Sequence, residues 1–130
     1  MAERYRIIIV EDEPTLAELL VRLIMRHYPT ALVTTFWSGQ EALEAYMQQG
    51  ADLLMIDRGV PGMDGLAMTQ LLRQQGDDVL IIGMSGEPAF RDPYLAAGAN
   101  AFLSGNELFE QIDAVLDLLL PKSAPGSVSV

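Results

Sequence analysis

The segment Tyr5 to Val10 is a short, β-branched run with apolar residues on both parities, and Asp52 to Asp57 carries four consecutive apolar residues before its closing acid. Successive side chains of a strand point to opposite faces, so such runs describe strands buried on both sides. Covering both faces of a sheet requires a layer of helices on each, and this chain supplies them in alternation. Five predicted strands alternate with five predicted helices, which makes a doubly wound α/β sandwich of three layers with right-handed crossovers.

The intervening segments carry helix punctuation. Pro14 is placed for the first helical position, and Leu16, Leu19, Leu20, Leu23, Ile24 and His27 follow a 3.6-residue period until Pro29. Ala31 to Phe36 reads as a threonine-rich strand at a sheet edge. Ser38-Gly39-Gln40-Glu41 has capping-box spacing before a helix that buries Ala42, Leu43, Tyr46 and Met47 and stops at Gly50. Asp64 caps a third helix, with Met68, Leu71 and Leu72 inward, and Val79 to Met84 is the fourth strand. Asp92-Pro93 reads as an N-cap and first helical residue, which leaves a fourth helix of little more than one turn before Gly98. Ala101 to Leu103 is a brief fifth strand. Ser104-x-x-Glu107 repeats the capping-box spacing ahead of a last helix that buries Leu108, Ile112, Val115, Leu116 and Leu119, with Phe109, Leu118 and Leu120 widening its apolar stripe. Residues 1–120 are expected to form the domain, and 121–130, rich in Pro, Ser and Gly, a tail or linker.

Eight basic against eighteen acidic side chains give a net charge of −10 over 130 residues. A surface of that sign repels phosphate backbones, so direct nucleic-acid binding is not expected. No apolar run is long enough to span a membrane and no secretory signal pattern is present. The absence of cysteine excludes disulfides and thiolate metal sites and fits a cytoplasmic location.

Acids close two of the buried strands. Glu11 and Asp12 follow the first, and Asp57 ends the third. Parallel strand ends share one edge of a sheet, and ligands of doubly wound folds sit at that edge. Carboxylates brought together there repel unless a hard cation lies among them, and all-oxygen donors suit Mg²⁺. Gly59, in the loop after Asp57, offers a backbone carbonyl to the same space, and Ser85 ends the fourth strand with a hydroxyl at that edge.

Together the segments VED after strand one, D-x-x-x-P-G-M-D-G from Asp57 to Gly65, M-S-G after strand four and A-G-A-x-A-F-L into strand five resemble the receiver domain of two-component response regulators. The resemblance covers residues 4 to about 120. It implies a flavodoxin-like sheet of order 2-1-3-4-5, with Asp57 as phosphoacceptor for phosphohistidine of a sensor histidine kinase or a histidine phosphotransfer protein. It further implies Mg²⁺ held by Asp12, Asp57 and the Gly59 carbonyl, with Glu11 acting largely through water. Ser85 corresponds to the hydroxyl that turns toward the phosphoryl group, and Phe102 to the aromatic whose position follows that movement. Such a domain modifies itself and loses the group slowly, without being a multiple-turnover enzyme.

The chain departs from that pattern at Gly105-Asn106, where the family places a lysine and then a proline. The phosphorylated state thereby loses a charge-assisted partner worth roughly 1.5–3 kcal/mol. Arg91, in the loop after Ser85, is the candidate replacement, whereas Lys122 lies beyond the last helix at the opposite edge. Two readings follow: an atypical receiver that signals by another surface, or a degenerate one kept for docking or dimerisation, with an effector domain or a second copy as partner. A Mg²⁺-dependent phosphohydrolase would share the aspartyl nucleophile but calls for a further acid/base and a basic residue. A flavin-phosphate binder is opposed by the two acids after strand one. His27 reads as a satisfied helix-end histidine, Trp37 and Tyr94 as possible contact residues, and the Arg58 side chain as pointing to the opposite face of its strand from Asp57. Met63 and Met84 are expected to line the active edge.

Overall fold

The computed structural model describes residues 4–122; the remainder of the predicted tail, 123–130, lies outside the described residues. The elements run β1 (Arg6–Val10), α1 (Pro14–His27), β2 (Leu32–Phe36), α2 (Gly39–Gln49), β3 (Leu53–Asp57), α3 (Gly65–Gln74), β4 (Leu80–Ser85), α4 (Arg91–Ala97), β5 (Ala101–Ser104) and α5 (Glu107–Leu119). The five strands form one parallel sheet in the order β2-β1-β3-β4-β5. Doubly wound topology and strand order are as the sequence implies.

Alternation sorts the apolar strand residues between two cores. Ile7, Ile9, Leu53, Met55, Ile82 and Met84 face the layer of α1 and α5, where Leu20, Ile24, Ile112 and Leu116 meet them. Ile8, Val10, Leu54, Ile56 and Ile81 face Met68, Leu72, Tyr94 and Phe102 on the other side. Most of these side chains are fully excluded from solvent. Each contributes about 1.5–3 kcal/mol by leaving water, which is the force that fixes strand direction and register.

Helix starts follow local chemistry. Glu13 accepts the N–H groups of Thr15 and Leu16 at the head of α1, Ser38 accepts that of Glu41, and Asp64 that of Ala67. Two predicted starts are corrected. Asp92 is not a cap: a 3₁₀ turn at Pro88–Phe90 runs into α4, which begins at Arg91. Pro93 is tolerated because first-turn N–H groups have no partner within the helix anyway. Ser104 is the last residue of β5, and α5 starts after Asn106, so only the glutamate half of the capping box forms, with Glu107 accepting the Ser104 N–H at 3.1 Å. The fourth helix is short, as expected, at seven residues.

Some apolar positions fall elsewhere than periodicity assigns them. Leu19 and Met47 are exposed, as are Phe109 and Leu118 on α5, whereas Leu120 is buried. Tyr94 is a core residue rather than a contact residue. Its ring lies where a β-carbon on Gly83 would collide with it, its hydroxyl lies where one on Gly65 would, and that hydroxyl donates to the Ile56 carbonyl at 3.0 Å. His27 pairs with Asp117 at 2.8 Å, as a satisfied histidine at a helix end.

Candidate functional site

β1 and β3 are neighbours, with Val10 beside Ile56, so the residues that follow them emerge together at the carboxyl edge. Ligand oxygens of Glu11, Asp12 and Asp57 all lie within 4.8 Å of one another. The three acids singled out from the sequence are therefore one cluster.

Their environments differ. Asp12 is exposed, Asp57 half-buried, and Glu11 only 3% exposed. One Glu11 oxygen accepts the Glu13 N–H at 3.0 Å, and the other is buried with no hydrogen-bond partner among the described residues. Burial and then the Asp57 charge push the Glu11 carboxyl up to about 7, against the Glu13 N–H, which favours the carboxylate. Asp57 is also raised, by burial first; the Gly59 N–H, which donates to Oδ2 at 2.9 Å, opposes this, and the Asp12 charge adds to it. A buried, orphaned carboxylate oxygen beside two further carboxylates is unfavourable alone and favourable around a cation.

Ser85 stands beside these acids. Met84 pairs with Asp57 across the β3–β4 ladder, and Ser85 lines the same groove as Asp57 and Glu11. Its hydroxyl oxygen accepts the Glu87 N–H at 3.0 Å, a bond that leaves the hydroxyl proton unused. Gly59 reaches the cluster through its N–H.

Phe102 and Arg91 are not brought to the acids. Phe102 is buried on the opposite face of the sheet, tilted against Tyr94 at 5.5 Å between ring centroids. Arg91 donates to the Phe102 carbonyl at 3.2 Å and to Glu107 at 2.5 Å, with its guanidinium 5.2 Å from the Phe102 ring. Arg58 lies over the Phe90 ring at 4.2 Å, on the face away from Asp57, as strand alternation requires. Lys122 sits at the far end of the sheet, 4.9 Å from the Tyr28 ring. Met84 lines the groove, whereas Met63 packs against the core of the other layer.

Sequence reasoning missed the groove itself, an open trough of about 270 Å³ beside Asp57. Leu16, Leu108 and Phe109 form its apolar walls, and Gly105 and Asn106 lie along it. These residues belong to the first turns of α1 and α5 and to the turn after β5. Helix starts that follow strand ends share the site's edge, and that was the available signal.

The sequence matches the response regulator receiver domain profile over residues 7–117. It is 33% identical over 122 residues to the two-component response regulator PhoP of Pseudomonas aeruginosa, covering 92% of this chain and 53% of that protein. The chain thus spans about half the length of that relative. Among solved structures, the response regulator TrrA of Thermotoga maritima in complex with Mg²⁺-BeF superposes with a TM-score of 0.79 at 26% identity, over 89% of this chain and 99% of that one. A putative response regulator from Chloroflexus aurantiacus gives 0.77 at 28% identity, over 90% and 98%. With the strand order, the acid cluster and a profile match over nearly the whole described fold in agreement, the chain belongs to the response regulator receiver domain family.

Proposed function

We propose that this chain accepts a phosphoryl group on Asp57, in a Mg²⁺-dependent transfer from phosphohistidine of a sensor histidine kinase or a histidine phosphotransfer protein. The observation that carries this reading is the gathering of Glu11, Asp12 and Asp57 oxygens within 4.8 Å. The donor set is hard oxygen throughout, and the unpartnered Glu11 oxygen is the kind of group that a cation and its water shell satisfy. Asp12, Asp57 and the Gly59 carbonyl would hold the ion, with Glu11 acting through water. When bound, Mg²⁺ supplies positive charge that offsets the carboxylates and the oxygens of the transferring group.

The chain's own residues do the rest. The Gly59 N–H fixes Asp57 Oδ2, leaving Oδ1 to attack phosphorus. The new O–P bond forms as the N–P bond of phosphohistidine breaks, and imidazole leaves with the electron pair. Ser85 donates a hydrogen bond from its hydroxyl to a phosphoryl oxygen. Water later attacks the acyl phosphate and restores the carboxylate, so the chain catalyses its own modification without rapid turnover of a substrate. Phe102 is the aromatic through which the change would be relayed. Arg91 would contribute charge only by leaving Glu107.

The proposed setting is the cytoplasm, and no helix among the described residues is long and apolar enough to cross a membrane. We assign residues 1–120 to the receiver unit and 121–130 to a tail or linker, with output through an effector domain or a second copy. Nucleic acid is not a direct partner of a domain this acidic. Intact mass after treatment with Mg²⁺ and a small phosphodonor tests the reading. The wild type should gain one phosphoryl group, and Asp57→Asn none. Failure of the wild type under these conditions would leave the docking or dimerisation reading in its place.

A further inference from the structure

The groove beside Asp57 combines two surfaces that demand different things of an occupant. Leu16, Leu108 and Phe109 offer apolar walls, while Glu11 and Asp57 add carboxylates to the same lining. None of the described residues lining it carries a positive charge. Arg91, the basic residue nearest in sequence to Ser85 on the following helix, is held by Glu107 and the Phe102 carbonyl. Gly105, at φ +56, brings no side chain, and the Asn106 side chain makes no capping bond. The buried Glu11 oxygen without a partner belongs to the same lining.

An apolar trough whose lining also holds carboxylates complements a long apolar stem with a cationic head. We infer that this groove receives a lysine or arginine side chain of a partner protein, its stem against Leu16, Leu108 and Phe109 and its head toward the Glu11 and Asp57 carboxylates. A protein is favoured over a small free cation because the apolar surface continues beyond the groove. Phe109 is 44% exposed, and Leu19, one turn along α1 from Leu16, is 40% exposed. The net charge of −10 favours a basic partner. The inference rests on the phosphoacceptor reading in one respect. After transfer, a doubly negative phosphoryl group and two remaining carboxylates outweigh one divalent cation, so the occupant binds the modified state more tightly.

The test uses the full chain and lysine blocked as its N-acetyl methylamide, followed through backbone amide shifts. Saturable shifts are expected at Gly105, Asn106 and Phe109, with blocked norleucine, which has the stem without the charge, binding about tenfold more weakly or worse. Mg²⁺ with beryllofluoride should tighten lysine binding by about fivefold or more, and blocked lysine should tighten beryllofluoride binding by the same factor. Asn106→Lys, which places an ammonium at the groove in the chain itself, should abolish the response, and Phe109→Ser should weaken it. The absence of saturable shifts would overturn the inference. So would equal binding of norleucine, which would mean an apolar surface only, or of tetramethylammonium, which would mean diffuse screening. Tighter binding of spermidine than of blocked lysine would reassign the groove to soluble amines. The titration without phosphodonor is separate from the mass measurement, so loss of Asp57 modification with lysine binding intact would sink the phosphoacceptor reading alone.

Discussion

Burial takes the Glu11 carboxyl from its ordinary 4.5 up to about 7, and the Asp57 charge adds to the shift. The folded chain therefore holds a proton that the unfolded chain has already released between those values. That stability is fully present below 4.5 and is lost as pH rises through about 7. Asp57, also raised, acts in the same sense. Asp117, held below its ordinary 3.8 by His27, acts in the opposite sense at lower pH, outside this window. In metal-free buffer the urea midpoint should fall between pH 5 and pH 8, and Glu11→Gln should flatten that slope. An unchanged slope in the variant would remove Glu11 as its source. Magnesium at a hundred times its dissociation constant should restore about 2.7 kcal/mol at pH 8. Ser85→Ala should weaken Mg²⁺-beryllofluoride binding by about tenfold or more through loss of a hydrogen bond to a charged acceptor. Calorimetry should find Mg²⁺ affinity alone unaltered in that variant. The acids were legible from the sequence because a parallel sheet brings strand ends to one edge whatever the loops do. Arg91 was not, because its partner Glu107 lies on the next helix and loop position carries no sign of that pairing.

α4 shows how an element's role can depend on residues remote from it. Read locally, Asp92-Pro93 is a helix start, and Tyr94 an isolated aromatic. In the fold, Gly83 inside β4 leaves room for the Tyr94 ring, which packs against Phe102, and Gly65 at the head of α3 leaves room for its hydroxyl. No periodicity within α4 reports a gap made by two glycines on other elements. Tyr94→Ala should cost about 3–5 kcal/mol by opening a cavity, and Tyr94→Phe about 1 kcal/mol for the lost bond to the Ile56 carbonyl. Gly83→Ala should cost about 1–3 kcal/mol, because the new methyl meets the ring. Combining Gly83→Ala with Tyr94→Ala should cost less than the sum of the two, since the cavity accepts the methyl. Strict additivity in denaturant midpoints would argue against direct packing of this pair.

At the scale of the whole molecule, the two cores and the strand order follow from apolar runs on both parities, but the way the fold is closed at its far end does not. Leu120 extends the apolar character of α5 in sequence and could equally have belonged to a contact surface. The fold buries it and uses the backbone around it. The Tyr28 hydroxyl donates to the Leu120 carbonyl at 2.7 Å and to Asp117 at 3.1 Å, and the Tyr5 hydroxyl donates to the Pro121 carbonyl at 2.5 Å. Lys122 lies over the Tyr28 ring. These contacts join the start of β1 and the end of α1 to residues 120–122. A chain ending at Leu119 loses a buried leucine and two tyrosine acceptors, which together should cost about 3–6 kcal/mol. A chain ending at Lys122 keeps them all and should match the full chain in unfolding free energy to within about 0.5 kcal/mol. Tyr28→Phe in the longer chain should account for only about 1 kcal/mol of the difference, which leaves burial of Leu120 as the larger part. Equal stability of the two truncated chains would show that the fold is complete without this closure and would return the boundary to the end of α5.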